Sequence, residues 1–141
     1  MNVADLGKLD LLDGWYERDQ AMRIRMNFPF YAGTGNKSSS VVYFEIEPGH
    51  CLGTHTDSAE EIVLILAGTV EASLGDERGR LTTGQAALIP EMVPHGIRNI
   101  GETTARCVGF VSASTVASTF DQPMMPFGQA TVGTPSAAAV G

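Results

Sequence analysis

Residues 48–68 read PGHCLGTHTDSAEEIVLILAG, and this stretch decides how the rest of the chain is read. Within it, His55 and Asp57 stand two residues apart, so on an extended segment both side chains point to one side. Ser58, Ala59 and Glu60 form a small polar turn, and Glu61 then opens EIVLILA, part of the most apolar run in the sequence. A hairpin at that turn would carry Glu61 back over the face that bears His55 and Asp57. One more imidazole from a third strand would complete a metal site, and His95 is the single later histidine.

Working outward, the neighbouring segments alternate with the period of a strand. Met22, Ile24, Met26 and Phe28 fall on one face, with Arg23, Arg25 and Asn27 on the other. Pro29 is expected to end that strand or to mark a sheet edge. Val42, Phe44 and Ile46 alternate with Tyr43, Glu45 and Glu47 before Pro48-Gly49 turns the chain. Further strands are expected over 52–57, 61–67, 70–74, 80–82, 86–89, 95–100 and 104–113. Residues 116–120 fit an extra strand or a short helix, and LGKLDLLDGW at 6–15 fits a short helix or a segment lying across the barrel. About ten short strands divided by Gly- and Pro-bearing turns, with no convincing long helix, make an all-β sandwich or barrel. No internal repeat is present, which excludes a solenoid or propeller. The division is a lead-in over 1–21, a barrel over 22–120, and an irregular, mobile tail of small residues over 121–141.

Composition narrows the function classes. With 141 residues, 43% hydrophobic and 18% charged, the chain suits one folded domain and not a disordered one. Its net charge of −7 makes nucleic-acid backbones and anionic membranes poor partners. The uninterrupted apolar run at 62–67 is far short of a membrane span. The N-terminus carries Asp5, Lys8, Asp10 and Asp13, which does not read as a signal peptide. Two cysteines, Cys51 and Cys107, are too few for a disulfide framework and suit free thiols in the cytoplasm. Cys51 lies close to the site, which leaves a redox or ligand role open. Arg23/Arg25 and Arg78/Arg80 read as solvated strand faces, His50 as a loop histidine and Glu60 as solvent-facing. No phosphate loop, nucleotide fingerprint or arginine clamp names a ligand class.

Counting from Gly49, five residues lead to His55, one to Asp57, three to Glu61 and six to Gly68. From Gly84, five residues lead to Pro90, and His95 and Asn99 follow with three residues between them. Fifteen residues separate Gly68 from Gly84. The two segments resemble the paired motifs of the cupin superfamily, Gly-x5-His-x-His-x3–4-Glu-x6-Gly and Gly-x5-Pro-x-Gly-x2-His-x3-Asn. Eight of those ten defined positions match, and the exceptions are Asp57 for the second His and Met92 for the Gly after Pro90. Gly is favoured where φ is positive, so Met92 is expected to reshape a turn.

The resemblance implies a single domain folded as a double-stranded β-helix, the jelly-roll barrel. It places His55, Glu61 and His95 on three of the family's four metal ligands, with Asp57 on the fourth. Two imidazoles and a carboxylate on rigid strands suit a divalent ion such as Fe(II). Direct ligation by Asp57 gives a harder set that also suits Mn(II), Zn(II) or Ni(II). Alternatively, Asp57 stands behind the ligands and orients His55 or a metal-bound water. In a metal-free barrel, His55, Asp57 and His95 would instead satisfy one another, while Asp57 and Glu61 would repel and raise at least one carboxyl pKa. Asn99 is expected to make a structural hydrogen bond.

Two functions follow as expectations. One is a metal-dependent enzyme, dioxygenase-like or isomerase-like, acting on a small molecule in the barrel. There Asp57 or Glu61, where freed from the metal, would serve as general base. The other is a non-catalytic binding or regulatory cupin without metal. Met26, Phe28, Phe44 and Phe110 are candidates for an apolar lining or for ordinary core. Ile62, Leu64 and Leu66 face outward, and an apolar outer stripe marks an interface. A homodimer packed sheet on sheet is expected, with the 22–28 strand crossing to the partner.

Overall fold

Period-two alternation of apolar residues produces twelve strands among residues 1–135, which the computed structural model describes. They are β1 (Leu12–Trp15), β2 (Arg23–Phe30), β3 (Ser40–Ile46), β4 (Cys51–Asp57), β5 (Glu61–Ala67), β6 (Thr69–Leu74), β7 (Glu77–Thr82), β8 (Ala86–Ile89), β9 (His95–Asn99), β10 (Ala105–Val111), β11 (Ala117–Met124) and β12 (Gln129–Gly133). One six-stranded sheet runs β1-β2-β3-β10-β5-β8, and the other runs β12-β11-β4-β9-β6-β7. Both are antiparallel, which is the expected jelly roll.

The inner faces of the two sheets meet over Ile24, Phe44, Ile46, Val63 and Ile65 from the first and Val70 and Ile97 from the second. Each such side chain stabilises the fold by roughly 1.5–3 kcal/mol through loss of water contact. A smaller cluster of Tyr16, Met22, Phe120 and Met124 ties both chain ends to the second sheet. Asn99 is buried and donates to the carbonyls of Ile46 and Thr103, each at 2.8 Å, a structural role as expected.

Several expectations are corrected. The chain does not turn back as a hairpin after Asp57. β4 and β5 belong to different sheets, so residues 58–60 cross the gap between them and Glu61 faces His95 from the opposite wall. β2 continues through Pro29, and its pairing with β3 slips between Asn27 and Phe30, as a bulge does where a donor is missing. That strand pairs with β1 and β3. The lead-in contains only a 3-10 turn at Leu6–Lys8 before β1 joins the sheet. Residues 121–133, read as irregular from their composition, complete β11 and form β12, because β11 covers the edge of β4 and buries Phe120 and Met124. The rest of the expected tail, 136–141, lies outside the described residues. Phe110 does not line the interior. Cys107, Gly109 and Val111 take the inward parity of β10, which leaves Phe110 outside and 47% exposed.

Met92 does not reshape its turn either. It adopts the left-handed conformation itself, with φ 61°, and its N–H donates to the Asp57 carbonyl at 2.9 Å. A side chain there costs roughly 1–2 kcal/mol. Glycine would remove that strain at an entropic cost of ~0.5–1 kcal/mol. Because Met92 is 59% exposed, little packing is lost with it. Met92→Gly is therefore expected to stabilise the fold by roughly 0.5–1 kcal/mol in urea unfolding. A lower unfolding midpoint would contradict this account of the turn.

Candidate metal centre

Strand register assembles the site. β4 lies between β9 and β11, and pairing sets His55 opposite His95 on one side and opposite Phe120 on the other. Two residues further on, Asp57 stands opposite Ser118. His55, Asp57, Glu61 and His95 are all buried, at 6%, 6%, 6% and 3% exposure, although Asp and Glu are normally found at the surface. Burial of so much polarity needs partners.

The imidazoles have one partner each on the far side of the ring. His55 Nδ1 lies 2.7 Å from the Gly53 carbonyl, and His95 Nδ1 lies 2.9 Å from that of Val93. A carbonyl only accepts, so each Nδ1 carries a proton and each ring aims Nε2 into the interior. His55 Nε2 is 3.7 Å from Asp57 Oδ1, and His95 Nε2 is 3.1 Å from Asp57 Oδ2. The second contact is close, yet its direction does not make a hydrogen bond, and His95 Nε2 is a buried atom without a partner. A lone pair and a carboxylate oxygen at that distance need a positive charge between them, either a proton or a metal ion.

The donor spacing fits an ion. His55, Asp57 and His95 each offer an atom within 4.8 Å of the others. Ligand bonds of about 2.0–2.2 Å place donors on one ion roughly 3–4.4 Å apart, so this trio can share a cation. Glu61 stands beside the trio, with Oε1 3.8 Å from His95 Nε2. The four residues singled out in the sequence thus meet in one place, three in mutual reach and the fourth alongside. The proton affinities carry the same frustration. Burial, then the neighbouring His95, pushes His55 down to about 4. Burial, then the Asp57 charge, pushes Glu61 up to about 8. Burial opposes ionisation of Asp57 and His95 as well, but their mutual contact outweighs it, holding Asp57 below its ordinary range and His95 above.

A family model of the cupin domain matches residues 42–111, which span β3 to β10 and contain all four residues. The chain belongs to the cupin superfamily. Solved structures agree on the fold. Lactobacillus farciminis oxalate decarboxylase, in its formate complex, superposes with a TM-score of 0.67 at 16% identity, covering 79% of this chain and 33% of that one. A putative sugar phosphate isomerase from Acidithiobacillus ferrooxidans gives 0.64 at 17% identity, covering 82% and 76%. The cupin domain of Schizosaccharomyces pombe Cnp3 gives 0.63 at 16% identity, covering 77% and 72%. This cupin spans about one third of the length of that oxalate decarboxylase. A search of curated proteins found no match.

Around these four residues the cupin barrel leaves a cavity of about 430 Å3. Of the candidates for lining or core, Met26, Phe28 and Phe44 line it, together with residues from β1, β11 and β12. Motif counting missed three further residues that shape the centre. Ser118 Oγ donates to Asp57 Oδ1 at 2.5 Å, fixing the carboxylate. Phe120 stacks on the His55 ring, with centroids 4.6 Å apart. Gly109 makes room for Glu61, whose carboxylate a Cβ at that position would overlap. Of these, only a glycine inside an apolar strand carried a sequence signal, since such a residue often marks close approach. Cys51 lines a separate polar crevice with Arg78 and Arg98 and stays outside the cavity. His50 and the exposed Glu60 are likewise absent from the cavity lining. Cys107 is buried beneath Glu61, and burial, then the Glu61 charge, pushes its thiol up to about 12, which leaves it inert.

Proposed function

We propose that this cupin is a divalent-metal enzyme acting on a small organic molecule held in the barrel. The observation that carries the reading is the buried, partnerless Nε2 of His95 facing Asp57 and Glu61 at the floor of a cavity. His55, Asp57 and His95 would hold the ion, with Glu61 as a fourth oxygen donor. When bound, the ion supplies Lewis acidity toward a substrate oxygen and open positions for substrate or dioxygen, which suits dioxygenase-like or isomerase-like chemistry. Iron, manganese, zinc and nickel all tolerate two imidazole nitrogens with one or two carboxylates.

The protein's own groups divide the remaining work. The Gly53 and Val93 carbonyls fix the ring orientations, and Ser118 fixes Asp57. Phe120 excludes water from one face of His55. Where it stands free of the ion, Glu61 is the carboxylate placed to take or return a proton on the substrate. Elemental analysis of protein purified without added metal tests the reading. About one ion per chain is expected, and less than roughly a tenth would leave a metal-free binding cupin as the better account.

We also propose a homodimer in a reducing cytoplasm, consistent with two free thiols. Leu88, Ile62, Phe110, Val41 and Phe30 form one cross-strand row on the outer face of the first sheet. Ile62, Leu88 and Phe110 in that row are 46%, 55% and 47% exposed. On the same face, Arg25 pairs with Glu45 at 2.9 Å and Glu47 at 2.6 Å, so an apolar centre meets a polar rim, as at subunit interfaces. Light scattering at micromolar concentration should give twice the chain mass, and Ile62→Glu with Phe110→Glu should halve it. A wild-type monomer would end the dimer proposal.

A further inference from the structure

We infer that the cavity selects an uncharged oxygen-donor molecule with an apolar body and discriminates against small anions. This rests on the metal centre proposed above and adds the class of molecule that reaches it. Phe28, Phe44, Val63, Ile97, Phe120 and Val132 make the lining largely apolar. No lysine or arginine lines the cavity among the described residues, and residues 136–141 contain none.

Charge at the floor decides the rest. Two neutral imidazoles add nothing, while the carboxylates of Asp57 and Glu61 together cancel a divalent ion. A neutral chelator therefore leaves the centre neutral. A dianion such as oxalate would leave two uncompensated negative charges in an apolar cavity, and buried unpaired charge is strongly unfavourable. The surrounding field adds to this, since the whole chain carries a net charge of −7. The cavity also exceeds what a two-carbon acid fills, for about 430 Å3 lies within the range of pockets that hold drug-sized molecules, roughly 300–1,000 Å3. Apolar contact with its walls is then the main source of affinity beyond the metal bond.

Four probes separate charge from body on the zinc-loaded protein. These are 2-hydroxyacetophenone (neutral, with a phenyl group), phenylglyoxylate (anionic, with the same body), hydroxyacetone (neutral, no body) and oxalate (anionic, no body). Titration calorimetry, with metal content measured before and after, should rank 2-hydroxyacetophenone at least about tenfold tighter than phenylglyoxylate and than hydroxyacetone. Oxalate should bind weakest within the protein, the reverse of its order with zinc in water. Val132→Arg, which places a guanidinium in the lining, should move preference toward phenylglyoxylate by about tenfold or more. Metal retained with either anion preferred by the wild type would overturn this inference alone, as would a Val132→Arg variant that leaves the ranking unchanged. Failure to hold zinc at all would overturn the metal reading and the inference together.

Discussion

Protein carrying His95→Ala is expected to keep less than about a tenth of the metal that the wild-type chain retains after dialysis, since losing even a group that only orients a ligand costs about 10–100-fold in metal affinity. The reason is geometric. His95 Nε2 has no other bond to lose, and it is the donor that approaches both Asp57, at 3.1 Å, and Glu61, at 3.8 Å. Without it, His55 and the carboxylates lack the nitrogen that closes the set. His95 is also a packed side chain at 3% exposure, so His95→Gln serves as a companion that preserves volume while removing the imidazole. Both variants should show the β-sheet circular dichroism of the wild type. His50→Ala, outside the cavity lining, should retain metal in full. Stoichiometric metal in folded His95→Ala would undo the ligand assignment.

Stripping the ion with EDTA should lower the melting temperature, by roughly 10 °C where free metal stands about a thousandfold above its dissociation constant. The pH dependence of that gap tests the centre more sharply. In the metal-free fold Glu61 titrates at about 8 against an ordinary 4.5, so the folded state binds its proton more tightly than the unfolded chain does. Its contribution is fully present below pH 4.5 and is lost as pH rises toward 8. His55 has the opposite sign. Its folded value of about 4 lies below 6.5, so stability falls as pH drops from 6.5 toward 4. Metal-free protein should therefore be most stable between these limits and should weaken from about pH 6 to 8. A bound cation replaces the proton at Glu61, so the loaded protein should change little and the gap should widen. A metal-free melting temperature that climbs over that range would show that Glu61 is not confined beside Asp57.

The sequence carried the centre because cation ligands recur at fixed offsets on paired strands. His55 and Asp57 share parity within β4, and the turn-forming glycines at 49, 68 and 84 all take positive φ, at 80°, 99° and 87°. Partners set by long-range pairing left no such trace. Ser118 reaches Asp57 only because β11 is registered against β4, and nothing within residues 114–120 marks that pairing. Phe110 was placed on the wrong side for a related reason. Its inward or outward parity depends on where β10 meets β3 and β5, and both its neighbours in sequence, Gly109 and Val111, are also apolar. Composition misled most in 121–133, where small residues and prolines suggested looseness that a sheet edge overrides. The step from β4 to β5 shows the same limit, because a three-residue link permits either a hairpin or a change of sheet.

β1, β11 and β12 border the cavity from both ends of the chain, whereas the four buried polar residues sit between β4 and β9. β11 belongs to both, because Ser118 and Phe120 bear on Asp57 and His55 while β1 and β12 only line the cavity. Grafting foreign β1 and β12 strands onto this core, with β11 kept, would reshape the cavity wall and leave the four polar residues as they are.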